Sequence, residues 1–356
     1  VSKAQRELMV YIWYPSLPMR ADARGAYIPH AREMDANREV HDSMSEGYGA
    51  NWPLIVSGAA SSHAVDDAPV AASRTKFPLI LFSHGMGSSP FAYSELIEDL
   101  VSRGFVVAAI EHTCDADAVV FPGGRIVSQQ DPPLPAGASR LRGLQRMMAV
   151  VNVGISEGAG DLQFVLDLLA EMNGGSAQTF PLAGKLDLSE VAAMGHSAGG
   201  SFVARACQMD RRFRACVDLE GQLIPVEALP DFNDGARLTQ PLLYMEIARR
   251  DAEMGGTPED HQAYYRKRTE QLKQCAPGSY FVSLRAPGMQ HGSFSDPAFF
   301  NGGTDRVMGE QRLHLIEEIV RAFLNQTLRQ RPEPLLRGVG IPASDAVIKR
   351  IGVDVP

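Results

Sequence analysis

Residues 195–199 read Gly-His-Ser-Ala-Gly, a G-x-S-x-G, directly after the short apolar run Val191-Ala-Ala-Met194. A strand that turns sharply into a helix presents the central hydroxyl at the sheet edge. Flanking glycines let strand and helix approach closely there. Ser197 in that setting is a nucleophile, and the chemistry is acyl transfer through a covalent intermediate. A serine hydroxyl hardly ionises at neutral pH, so it needs a base. Three of the nine histidines follow it in the chain: His261, His291 and His314. His261 and His314 fall inside helical patterns among polar neighbours and read as surface residues. His291 lies in the loop after the strand-like run 280–284, where a base with room to act belongs. The base in turn needs a carboxylate. Asp218 and Glu220 lie at the end of the run 215–219, and Asp251 follows the run 242–247. Asp218 and Glu220 are two apart and share a face while the strand lasts, so parity cannot separate them. On position, all three acids stay open. The developing oxyanion needs two donors. One is the backbone N–H of Ala198. The loop His84-Gly85-Met86-Gly87, after the run 78–82, offers the other at Met86. His84, Gly85, His112 and His196 are expected to line the substrate pocket.

These residues need a frame to hold them. Short apolar runs at 78–82, 105–110, 191–194, 215–219, 242–247 and 280–284 read as buried strands. Helical patterns lie between them: 90–103, about 140–172, from Ser197 to about 208, 257–275 and 306–328. Gly154, Gly158 and Gly160 weaken the middle of the second. This alternation predicts an α/β protein, a mostly parallel central sheet with helices on both faces. Ligands then sit at the carboxyl ends of the strands, where each candidate falls. A strand over 7–14 opens the chain. One domain over 1–328 is expected, with an irregular excursion at about 15–76 carrying short helices near 30–45. A Pro/Gly-rich loop at 121–138 borders the pocket. Residues 329–356 carry four prolines and are expected to wrap the surface or fray.

With 45% apolar and 21% charged residues, the 356-residue chain is globular rather than disordered. A net charge of −8 without a basic stripe argues against nucleic acid as a partner. No apolar stretch is long enough for a transmembrane helix. The chain starts at Val1, which fits a removed signal peptide or a trimmed chain. A secreted or periplasmic location is the expectation, the cytoplasm the alternative. Four cysteines (114, 207, 216 and 275) permit disulfides without demanding them. Glu111, His112, Cys114, Asp115 and Asp117 resemble a metal cluster, yet no second ligand group complements them. They read as a polar loop, and no metal or cofactor is expected.

Several stretches carry a further signal as a set. They are Phe82-Ser-His-Gly-Met-Gly87, Gly104-Phe-Val-Val-Ala-Ala-Ile-Glu-His112, Gly195-His-Ser-Ala-Gly-Gly200, Arg212-Phe-Arg214, Gln240-Pro-Leu-Leu243 and the His291 loop. Ile12-Trp-Tyr-Pro15 and His63-Ala-Val-Asp-Asp-Ala-Pro69 fit as well. In this order, over roughly residues 8–325, they resemble the platelet-activating-factor acetylhydrolase group (plasma and type II) of serine esterases, within the α/β-hydrolase superfamily. The resemblance implies an α/β-hydrolase fold and a Ca²⁺-independent esterase with a Ser–acid–His triad. It implies short-acyl ester substrates, whether acetylated or oxidised phospholipids, small carboxylic esters or polyester fragments. An ungapped extension of the Arg-Phe-Arg match puts the family's catalytic aspartate on Glu220, with Asp218 as the alternative. It argues against Asp251. Glutamate for aspartate is a departure, one methylene longer. Two other readings remain: an acyltransferase or amidase with the same triad, and a non-catalytic ester-binding homologue.

Overall fold

A computed structural model describes residues 6–17, 24–73, 75–130, 143–223, 237–248, 257–296 and 304–354. Strand β1 (Met9–Trp13) leads into three short helices, α1 (Ala31–Ala36), α2 (Arg38–Tyr48) and α3 (Trp52–Ser57). Then come β2 (Phe77–Ser83), α4 (Ser94–Ser102), β3 (Val106–Glu111) and the small hairpin β4 (Ala118–Val120) and β5 (Ile126–Ser128). Helix α5 (Gly143–Asn173), β6 (Leu186–His196), α6 (Ala198–Met209), β7 (Phe213–Leu219) and β8 (Leu242–Ile247) follow. The chain ends with α7 (Pro258–Leu272), β9 (Tyr280–Leu284), α8 (Thr304–Thr327) and β10 (Ala346–Arg350).

Eight strands form one sheet in the order β1-β3-β2-β6-β7-β8-β9-β10. The six central strands are parallel, and β1 and β10 pair antiparallel at the two edges. Parallel strands need crossovers, and the crossover helices cover both faces. That is why the strands read as unbroken apolar runs. Leu79 and Leu81 face the layer that holds Leu162, Phe202 and Val203. Ile80 and Phe82 face the layer that holds Leu96, Ile316 and Phe323. The architecture is the doubly covered, mostly parallel sheet of an α/β hydrolase.

Three elements depart from the sequence reading. Helix α5 runs unbroken for 31 residues despite its glycines. A Cβ on Gly158 would overlap the ring of Phe202 on α6, and one on Gly154 would lie 3.4 Å from the same ring. The local helix penalty is offset by close packing of two helices. Phe202 is 1% exposed and has no room to swing aside. Gly158→Ala is therefore expected to destabilise the protein by about 1–3 kcal/mol, despite a gain of roughly 1 kcal/mol in helix propensity. Urea unfolding measures the sign.

The segment after residue 328, expected to wrap or fray, supplies β10, with Ala346 opposite Leu284 and Arg350 opposite Tyr280. The excursion after β1 has its own small core. Tyr27, Ile28, Met34, Val40, Met44, Tyr48 and Trp52 pack with Phe91, Ala118 and Val120. All four cysteines are free thiols. Among the described residues, no helix is long and apolar enough to cross a membrane.

Candidate active site

Strand β6 stops at His196 and α6 starts at Ala198, so Ser197 alone makes the turn. Its backbone is at φ 56° and ψ −121°, a strained region for a residue with a Cβ. The neighbours impose it. A Cβ on Gly195 would run into the carbonyl of Gly199, and one on Gly199 into the carbonyls of Ser83 and His84. Ser197 N–H donates to Leu219 O at 2.9 Å, which stitches the turn to β7. Between residues 191 and 200, Ser197 is the only one that is not buried.

His291 begins a 3-10 turn (His291–Phe294) after β9. Its Nε2 lies 2.9 Å from Ser197 Oγ, and its Nδ1 lies 2.7 Å from Glu220 Oε2. A carboxylate only accepts, so the proton belongs on Nδ1 and Nε2 is left to accept from the hydroxyl. Glu220 Oε1 accepts the Ile247 N–H at 2.9 Å, which fixes the carboxylate plane. The Glu220 side chain is 1% exposed and that of His291 31%, so the pair is closed at one end and open at the other.

The structure separates the two neighbouring acids by backbone, not by parity. Strand β7 ends at Leu219, and Glu220 takes φ 60°, which turns its side chain toward His291. Asp218 stays under the turn, where its Oδ1 accepts the Gly221 N–H at 2.6 Å. Burial, with the Glu220 charge adding to it, pushes the Asp218 carboxyl up to about 7. Asp251 lies outside the described residues.

Several donors of the loop after β2 already have acceptors within the protein. Gly85 N–H donates to Tyr93 Oη at 3.2 Å, Gly87 N–H to Asp115 O at 2.7 Å and Ser88 N–H to Gly85 O at 3.2 Å. Among the described residues, the N–H groups of Met86 and Ala198 have no acceptor in the protein. Two unused amides beside the Ser197 hydroxyl are the donors that an oxyanion on that oxygen's partner carbon would need.

The expected pocket lining needs correction. His84 is 1% exposed, His112 0% and His196 5%, and Gly85 is buried as well. These residues lie behind the Ser197 hydroxyl and the His291 ring. Ends of buried parallel strands hold side chains on the inner side too, and these turn inward. His196 Nδ1 bonds Tyr93 Oη at 2.8 Å, and its ring lies 4.5 Å from that of His291. His112 joins Ser83 Oγ at 2.7 Å to Asp161 at 2.8 Å, and Arg6 bonds that carboxylate twice. Ser83, His112 and Asp161 thus repeat a serine–histidine–acid geometry, but wholly enclosed. Asp161 had no signal in the sequence, since it lies mid-helix among Gly and Ala.

Among the described residues, the donor atoms that converge within 4.8 Å belong to His196, Glu220 and His291. Those of Glu111, Cys114, Asp115 and Asp117 do not join such a group.

A family model described as platelet-activating factor acetylhydrolase, isoform II, matches residues 2–299. The platelet-activating factor acetylhydrolase of Canis lupus familiaris is 26% identical over 282 residues, 75% of this chain and 60% of that protein. That of Cavia porcellus is 27% identical over 320 residues, 82% of this chain and 68% of that protein. A probable 1-alkyl-2-acetylglycerophosphocholine esterase of Arthroderma benhamiae is 24% identical over 276 residues, 73% of this chain and 63% of that protein. The chain thus spans about 60% of the length of the first of these relatives. Among solved structures, a ferulic acid esterase from Streptomyces cinnamoneus superposes with a TM-score of 0.65 at 28% identity. That match covers 97% of this chain and 89% of the other. The family match runs without a break from the N-terminal strand past His291, and on that extent the chain belongs to the platelet-activating factor acetylhydrolase, isoform II family.

Proposed function

We propose that the protein is a serine carboxylic-ester hydrolase acting on short-acyl esters. One observation carries the reading: the unbroken bonding line Ser197–His291–Glu220, at 2.9 and 2.7 Å, open to solvent at the serine end. Ser197 Oγ attacks the ester carbonyl while His291 Nε2 takes its proton. Glu220 holds the imidazole in the required tautomer and stabilises the imidazolium. The amides of Met86 and Ala198 receive the oxyanion. His291 then protonates the leaving alcohol. A water activated by the same nitrogen attacks the acyl-enzyme, and the acid leaves. Every proton is handled by one imidazole. The family's description points to acetyl esters as the first class to test, and the ferulic acid esterase neighbour adds aromatic-acid esters as a second.

Hydrolysis of p-nitrophenyl esters from acetate to dodecanoate, with methyl ferulate beside them, tests this. Turnover is expected to peak at the short chains, and Ser197→Ala is expected to lose at least about 10³-fold. Equal turnover by Ser197→Ala, or none by the wild type on any ester, would refute the assignment.

A further inference from the structure

Two donors hold the Gly85 carbonyl. His84 Nδ1 donates to it at 2.7 Å and Ser88 N–H at 3.2 Å. His84 is enclosed. Its other ring nitrogen, Nε2, accepts the backbone N–H of His112 at 3.1 Å. An amide N–H only donates, so Nε2 carries no proton and Nδ1 must carry one. The tautomer is pinned from both sides. The neighbouring ring, His112, is held between Ser83 Oγ and Asp161, with Arg6 clamping Asp161 at 2.8 Å. The end of β3 is therefore anchored, and so is the amide that grips His84.

The peptide bond between Gly85 and Met86 is trans, as no described residue has a cis bond. In a trans peptide the C=O and the following N–H point in opposite directions. Pulling the Gly85 carbonyl inward toward His84 therefore turns the Met86 N–H outward, toward the face of Ser197. That amide also has no acceptor among the described residues. A Cβ on Gly85 would sit 3.4 Å from Ser197 Cβ, so the peptide lies next to the nucleophile.

We infer that His84 is a positioning residue of the oxyanion site: its Nδ1–H fixes the Gly85–Met86 peptide plane and thereby aims the Met86 amide at the reacting oxygen. This rests on the esterase reading above. His84 touches no substrate. Burial and the neighbouring His112 hold its imidazole down to about 3, so it stays neutral while the enzyme works.

Two amides divide the role of the ring. Asparagine places a donor near the position of Nδ1 and can still bond the Gly85 carbonyl. Glutamine places its acceptor near Nε2 and can still receive the His112 amide, but leaves the Gly85 carbonyl to Ser88 alone. His84→Gln is expected to lower kcat on p-nitrophenyl acetate on the order of 10- to 100-fold with KM within about threefold. It is expected to weaken binding of a trifluoromethyl ketone, which forms an oxyanion on Ser197, by the same factor. Its methyl ketone counterpart, which does not, should bind as to the wild type. His84→Asn is expected to keep kcat within about fivefold. Equal losses in the two variants, or a loss confined to KM, would overturn the inference. Should a variant fail to fold, ¹⁵N-histidine spectra of the wild type decide: one imidazole must remain neutral with its proton on Nδ1 at pH 4.5, and its absence sinks the idea. Failure of the esterase reading looks different, because the wild type itself then turns over no ester.

Discussion

Glu220→Gln is expected to lower kcat by about 10³- to 10⁴-fold while leaving the fold intact. The reason is a count of donors and acceptors. Among the described residues the carboxylate faces the Ile247 N–H on Oε1 and the His291 Nδ1–H on Oε2. An amide has one acceptor. If its oxygen keeps the Ile247 amide, its NH₂ faces Nδ1 and forces the imidazole proton onto Nε2. Nε2 then cannot accept from Ser197. If the oxygen keeps His291, the NH₂ is pressed against the Ile247 N–H inside the protein, an unpaired donor costing about 1–3 kcal/mol. Either way the positive charge that develops on His291 loses its counter-charge. Asp218→Asn should behave otherwise. Oδ1 accepts only the Gly221 amide, and Oδ2 has no partner among the described residues, so an Asn can replace a carboxyl held at about 7. Activity within about fivefold of wild type is expected. Steady-state kinetics of the two variants on one ester settle the order, and a larger loss in Asp218→Asn would move the acid to that residue.

The same pair marks where sequence reading stops. Parallel strands declare themselves because both faces are buried, and the turn at Ser197 declares itself because glycine is required on each side of it. The carboxylate that meets His291 does not, because the choice between residues 218 and 220 is made by one dihedral. Glu220 sits at positive φ because Gly221 packs against the first turn of α6; a Cβ there would lie 2.7 Å from Ser197 O. That contact joins residues more than twenty apart. Helix α5 and strand β10 were opaque for the same reason. The glycines of α5 weaken a helix until the ring of Phe202 is seen to fill the space they leave. The strand β10 is a weak pattern until β9 offers its edge. The inward turn of His84 and His112 is a further case. Their position after strands put them near the site, but which side of the loop they occupy depends on bonds to Gly85, Ser83 and Asp161. Local pattern reaches Ser197, His291 and the frame. What holds them in register is non-local.

Glu111 offers the largest effect on stability. It is the last residue of β3, opposite Met9 of β1, and is 0% exposed. Neither carboxyl oxygen has a hydrogen-bond partner among the described residues. Burial alone pushes the carboxyl up to about 8. In the unfolded chain a glutamate titrates near 4.3. Between these values the folded protein keeps a proton that the unfolded chain has released. Stability is therefore full at low pH and falls as pH rises from about 4.5 to about 8, by roughly 1.4 kcal/mol per unit for this one group. The total is on the order of 5 kcal/mol, an upper bound because a buried site relaxes around its charge. Asp218, at about 7, adds a slope of the same sign over a narrower range. Glu111→Gln removes the ionisation and keeps a neutral group of the same shape. Urea unfolding at pH 9 is expected to find this variant about 2–4 kcal/mol more stable than wild type, and at pH 5 nearly equal to it. The Asp218 slope should persist in the variant as an internal control. Because the His112 amide that grips His84 follows Glu111 directly, the gain at pH 9 should be matched by esterase activity that survives to higher pH. A variant as sensitive to alkali as the wild type would mean that Glu111 is ionised in the fold already, with a cation or water inside β3 to accept it.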